Sequence, residues 1–215
     1  MKRKSFWVAT GLLVFPVAFF FLLRASKQNY KHLPHLGEKI EPNGADIKDT
    51  IFYQVPEFSV TDQSGKELNS KMLTNNIVIA NFFFASCKDV CPKMNGNISV
   101  FYEKAKEWSE VKLISFTVDP DNDSTQVLAD YAKKMNADKK IWHFCRTDKE
   151  NLFKIGQGFL LPVSIEDKTI DHSQQVLLLD KSRNIRGVYN GLDLNDMKRL
   201  GDELKVLLYE YHEPR

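Results

Sequence analysis

Ile77-Val78-Ile79-Ala80-Asn81-Phe82-Phe83-Phe84 runs without a break into Ala85-Ser86-Cys87-Lys88-Asp89-Val90-Cys91-Pro92. The first eight residues are apolar except for Asn81, which predicts a central strand covered on both faces, because a strand with one wet face would alternate. After Pro92 the period turns helical, with Ile98, Phe101, Ala105 and Trp108 on one face of a helix over 92–108. A buried strand, a turn bearing two cysteines and a helix therefore follow in order.

Outward from this unit the pattern stays regular. Residues 112–118 read as a second strand, and the turn Asp119-Pro120-Asp121-Asn122-Asp123 ends in residues able to cap a helix over about 125–136. Residues 141–145 are a short alternating strand, and Thr147-Asp148 open a helix through about Gly156. Residues 176–180 and 184–189 flank Lys181-Ser182-Arg183 as a hairpin, followed by an amphipathic helix over 193–211. Upstream, 58–61, the turn Asp62-Gln63-Ser64-Gly65 and 66–68 form a small N-terminal hairpin. The order predicts an α/β domain over 56–215, with a sheet of mixed direction flanked by helices.

The remainder of the 215 residues is accessory. Residues 6–23 carry no charge and hold a third of the 15 Phe; as a helix they span about 27 Å, close to the roughly 30 Å core of a bilayer. Lys2, Arg3 and Lys4 precede this stretch, so the positive-inside bias puts the N-terminus in the cytoplasm and the domain outside it. The exit, Leu22-Leu23-Arg24-Ala25-Ser26, lacks a small-x-small cleavage site, which favours an uncleaved anchor over 1–24 against a signal peptide. The location expected is a bacterial inner membrane, single-pass, with the soluble part in the periplasm or otherwise outside the cytoplasm. Residues 25–55 are polar, interrupted by Pro34, Gly37, Pro42 and Gly44, and read as a tether in which His32 and His35 are solvated.

Lys and Arg number 30 against 28 Asp and Glu, so the phosphate-neutralising excess of a nucleic-acid binder is missing. Three Cys are too few for a disulfide scaffold or a four-Cys zinc site. The thiols act locally, at Cys87 and Cys91. If the segment is a first helical turn, the i,i+4 spacing puts both sulfurs on one face with Cβ atoms about 5–6 Å apart. A helix N-terminus favours thiolate. Thiolates are both the nucleophiles of disulfide exchange and the preferred ligands of Cu(I), and the spacing permits either use, although a Cys-x-x-Cys redox motif is one residue shorter.

Two thiolates leave a coordination position open, for which His172 is the best candidate among the five His. It stands in Asp171-His172-Ser173, just before the apolar run 176–179. His143 alternates with Trp142 and Phe144 and reads as structural; His212 lies at the fraying C-terminus. Asp119-x-Asp121-x-Asp123 imitates a calcium loop, but Ser124 stands where that loop needs Gly and no Glu closes it.

Phe83-Phe84-Ala85-Ser86-Cys87-Lys88-Asp89-Val90-Cys91-Pro92, Phe116-Thr117-Val118-Asp119-Pro120 with its following acidic residues, Asp171-His172-Ser173 and the N-terminal apolar stretch together resemble the Sco/SenC family, membrane-anchored copper-binding factors for cytochrome c oxidase assembly. The resemblance covers roughly residues 55–211. It implies a thioredoxin-like fold, and a copper site formed by Cys87, Cys91 and His172. It also implies a copper chaperone whose partner is the copper-site subunit of the oxidase. The alternative is a thiol–disulfide oxidoreductase that uses Cys87 and Cys91 to reduce the cysteines of that same site. Lys88 departs from the Pro common after the first Cys. Cys145 is an additional thiol, read as a buried structural residue, and Asp171 reads either as orienting His172 or as a turn-capping Asp.

Overall fold

The computed structural model describes residues 14–16, 19, 32–40, 51–72, 74–164, 169–170 and 174–212. The chain divides into two units, residues 1–31 and 32–215. In the first, residues 14–16 and Phe19 are helical, and Val14, Phe15 and Phe19 are exposed. Among the described residues no helix is long and apolar enough to cross a membrane. Most of the expected span over 6–23 lies outside the described residues.

The second unit is a seven-stranded sheet with helices on both faces. Its strands are β3 (Ser59–Asp62), β4 (Glu67–Asn69), β5 (Ile77–Phe83), β6 (Val111–Thr117), β7 (Trp142–Arg146), β10 (Gln175–Leu179) and β11 (Ile185–Asn190), in the order β11-β10-β5-β6-β7-β3-β4. Two small ribbons stand apart, β1 (Lys39–Ile40) with β2 (Ile51–Phe52) and β8 (Val163–Ser164) with β9 (Thr169–Ile170). β5, β6 and β7 run parallel, β10 and β3 flank them antiparallel, and the edge strands β11 and β4 reverse again to run with the central three. The expected mixed, thioredoxin-like α/β architecture is the one observed.

All seven residues of β5 are buried, as its apolar run requires. Ile77, Ile79 and Phe83 face one core and Val78, Ala80 and Phe82 the other. The first core is closed by α1 (Val90–Ala105), α2 (Thr125–Lys134) and α4 (Leu194–His212), the second by α3 (Lys149–Gly158). Helix starts follow local chemistry. Ser124 Oγ accepts the Val127 N–H at 3.3 Å and Asp148 Oδ1 accepts that of Asn151 at 2.9 Å.

Three expectations change. β7 does not alternate: its first four residues are all buried, because β6 and β3 flank it while both faces are covered. The small N-terminal hairpin does not stand by itself but forms the edge of the main sheet, through pairing of β3 with β7. The described parts of the supposed tether, residues 32–40 and 51–55, make bonds to the sheet unit. Arg186, 4% exposed, donates to the carbonyls of Leu33 at 2.7 Å and Pro34 at 3.1 Å, and pairs with Asp180 and Glu210. The Leu36 N–H donates to Ile185 and the Val55 N–H to Arg183. His35 is accordingly not a solvated linker residue; its ring stacks on Phe52 with centroids 3.8 Å apart.

Candidate metal centre

β5 ends at Phe83 and α1 begins at Val90, so the turn between them lies at the carboxyl end of the parallel strands, where α/β sheets bind ligands. Cys91 is the second helical residue and Pro92 the third, a position whose missing N–H breaks no helical bond. Cys87 lies outside the helix, contrary to the expected shared helical face. Asp89 holds the N-cap position but makes no cap with its side chain, which instead pairs with Lys93 Nζ at 2.6 Å. The Cys91 N–H donates to Cys87 Sγ at 3.3 Å. A sulfur thus occupies the place usually taken by a capping oxygen, and this contact brings the two cysteines together.

The arrangement makes the thiols unequal. Cys87 is half-buried; desolvation pushes its pKa up, but hydrogen bonds from the backbone of Cys91, Asp89 and Val90 and from the Cys91 side chain outweigh it and leave the thiol below its ordinary value. Cys91 is 2% exposed, and burial pushes its pKa up to about 11. A hydrogen bond at the Phe84 backbone opposes that rise, while the neighbouring Cys87 and the charge of Asp123 add to it. The first proton therefore leaves Cys87, the outer thiol.

Asp123 is a residue whose role the calcium-like spacing concealed. It is 1% exposed; its Oδ2 accepts the Ala85 N–H at 2.9 Å and the Thr117 hydroxyl, tying the cysteine turn to the end of β6. The three carboxylates of the apparent loop part company, since Asp121 pairs with Lys149 and Asp119 accepts from Asn122. A hint was present in the sequence: an Asp directly before a helix-capping Ser, at the end of the strand beside β5.

His172 and its neighbours Asp171 and Ser173 lie outside the described residues. Among the described residues no three His, Cys, Asp or Glu side chains converge to hold a metal ion. His143 is buried, with Nδ1 3.6 Å from Asp62, and burial holds its pKa down. His212 pairs with Glu110, far along α4. Cys145 is fully buried in the core on the opposite face of the sheet from Cys91, and burial raises its pKa well above the ordinary thiol range. A half-exposed thiol of lowered pKa beside a second thiol is a donor set suited to a soft ion and equally suited to disulfide exchange.

A SCO1 homologue of Bacillus subtilis (strain 168) is 28% identical over 156 residues, which cover 70% of this chain and 80% of that protein. A SCO1/SenC family lipoprotein of Bacillus anthracis superposes with a TM-score of 0.65 at 27% identity, over 73% of this chain and 95% of that one. The copper-bound structure of Bradyrhizobium japonicum ScoI superposes with a TM-score of 0.54 at 25% identity, over 68% and 98%. The SCO1/SenC family model matches residues 46–207, a span that takes in the sulfur-capped turn, Asp123 and the strand after His172; this chain belongs to the SCO1/SenC family.

Proposed function

We propose that the protein takes up copper as Cu(I) on Cys87, Cys91 and His172 and delivers it to the copper site of cytochrome c oxidase. The observation that carries this reading is the pair of thiols at one helix N-terminus, linked by the Cys91 N–H to Cys87 Sγ hydrogen bond and lacking a third donor among the described residues. Connectivity supports His172 as that donor. β10 begins at Gln175, and Val176 pairs with Asn81 in β5, the strand that leads into Cys87. Three residues of extended chain reach about 10 Å, enough to bring His172 from Gln175 to that end of the sheet. The copper bound in the Bradyrhizobium relative supports the choice of ion. Bound copper is cargo here, and the chain's contribution is two soft sulfur ligands and one imidazole.

The inequality of the thiols favours a second reading, reduction of the oxidase copper-site cysteines. Cys87 thiolate attacks the client disulfide to form a mixed disulfide. Cys91 then displaces the second client sulfur, leaving a reduced client and a Cys87–Cys91 disulfide. One experiment separates the two. Anaerobic titration of the domain with Cu(I) against a competing chelator is repeated on Cys87→Ser, Cys91→Ser and His172→Ala. Delivery requires one ion per chain, lost in all three variants. Unchanged binding in His172→Ala together with retained disulfide reduction leaves the reductase.

We place the apolar stretch 6–23 in the membrane, with the domain outside the cytoplasm. Deleting it is expected to leave copper binding intact and to lower oxidase maturation in cells. Full maturation by the released domain at equal abundance removes tethering from the function.

A further inference from the structure

Asn81 is 2% exposed within an otherwise apolar strand, and its polar side chain faces the core beneath α1. It belongs to a chain of buried hydrogen bonds. The Trp142 indole Nε1, which can only donate, donates to Ser115 Oγ at 2.9 Å. The Ser115 hydroxyl donates to Asn81 Oδ1 at 2.6 Å, which turns Asn81 Nδ2 toward Asn95 Oδ1 at 3.0 Å. Asn95 Nδ2 in turn donates to Tyr131 Oη at 2.9 Å. In this arrangement each bond runs from the indole toward α2, and Tyr131 Oη is the final acceptor. The hydroxyl's own proton has no acceptor among the described residues.

Position along α1 relates that hydroxyl to Cys91. Asn95 lies four residues after Cys91 on α1, so the two share a face with Cβ atoms about 5–6 Å apart. Helical side chains lean toward the N-terminus, which carries the Asn95 amide, and the hydroxyl bonded to it, toward Cys91. The Tyr131 ring is packed on Phe83 and Phe144, with centroids 4.9 and 5.6 Å away. Its hydroxyl stays protonated. Burial pushes its pKa up to about 12, and negative charge at Cys91, Cys87 and Asp123 adds to the effect.

We propose that Tyr131 is a positioning residue of the dithiol site, whose hydroxyl donates a hydrogen bond to Cys91 Sγ when that sulfur ligates copper. The inference rests on the copper reading above. It assigns the buried relay the task of presenting one donor to the inner sulfur, as outer partners commonly orient and tune metal ligands.

The test uses the domain as it stands, with Tyr131→Phe and with 3-fluorotyrosine at position 131. The substitution to Phe deletes the donor; the fluorinated ring keeps the shape and makes the hydroxyl a stronger donor. Two quantities are read: Cu(I) retention against a competing chelator, and the sulfur-to-copper charge-transfer band of the Cu(II)-loaded protein. Tyr131→Phe is expected to weaken retention about tenfold, the scale of one hydrogen bond to a charged acceptor, and to move the band to longer wavelength. 3-Fluorotyrosine is expected to move both readings the opposite way, which a purely structural role for the ring does not predict. Equal retention and an unmoved band in both proteins overturn the inference while the copper reading stands. A wild-type domain that retains no Cu(I) overturns both.

Discussion

Asp123→Ala tests whether the turn carrying Cys87 is held in place from the neighbouring strand. The buried carboxylate accepts from the Ala85 N–H and the Thr117 hydroxyl, so its loss strands two donors. Each hydrogen bond to an ionised acceptor contributes roughly 1.5–3 kcal/mol. Two effects reduce the sum. Ala85 is only half-buried, so water reaches its N–H, and burying the carboxylate itself costs free energy. The net loss expected is about 2–3 kcal/mol. The same substitution acts oppositely on the thiol. Asp123 is one of the charges that hold the Cys91 pKa near 11, so its removal brings that pKa down. The variant is therefore less stable, yet its inner cysteine ionises more readily. Urea unfolding with an unchanged slope measures the first effect, and the pH dependence of Cys91 alkylation under native conditions measures the second. Asp123→Asn retains one acceptor oxygen and should fall between, with a similar thiol shift. A stability loss below about 0.5 kcal/mol, or a Cys91 pKa that stays or rises, refutes the argument.

Alkylation of the reduced wild type at pH 8 should modify Cys87 long before Cys91, because a pKa of about 11 leaves about one part in a thousand of Cys91 as thiolate; equal rates by peptide mass spectrometry contradict the assigned inequality. Mild oxidation should remove two hydrogens from the single peptide that carries Cys87 and Cys91, since Cys145 is buried on the opposite face of the sheet, and any bridge to Cys145 defeats this expectation. Arg186→Met should cost about 3 kcal/mol in urea unfolding, because it removes the cation shared by Asp180 and Glu210 and frees the carbonyls of Leu33 and Pro34; a loss under about 1 kcal/mol means the clamp contributes little. The raised thiol pKa of Cys91 links folding to alkaline pH: the folded state holds the proton more tightly, so its contribution is complete below the ordinary thiol range and is lost as pH rises toward 11. Stability measured from pH 8 to 11 should therefore fall, and by less in Cys91→Ala.

Elements whose fate depends on near neighbours were legible in the sequence. β5 is an apolar run too short for a helix and bounded by turn residues, and the helices carry a clear 3.6-residue period, with Asp148 capping α3 as expected and Ser124, just past the expected turn, capping α2. What remained hidden depends on partners far along the chain. Residues 32–36 have a polar, Pro-interrupted composition that reads as a tether, yet Arg186 and Ile185, some 150 positions later, supply the bonds that dock them. Gln63 reads as a turn residue, but its amide bridges the Trp142 carbonyl and the Phe144 N–H, which anchors β3 against β7 and buries a strand that sequence alternation left half exposed.

The cysteine turn shows the same division at closer range. Cys-x-x-x-Cys-Pro is visible as a donor set, and Pro92 invites a helix start at that residue; the helix begins at Val90 instead, because the Cys87 sulfur satisfies the N–H of Cys91. Spacing alone treats the sulfurs as equivalent members of one face. Their inequality comes from atoms no local pattern connects: the helix N–H groups that lower Cys87, and the burial and Asp123 charge that raise Cys91. The copper delivery proposed above calls for one sulfur that is accessible and one that is held. In this fold the accessible thiol is set by the turn itself, and the held one by the far strand and helices that close over it.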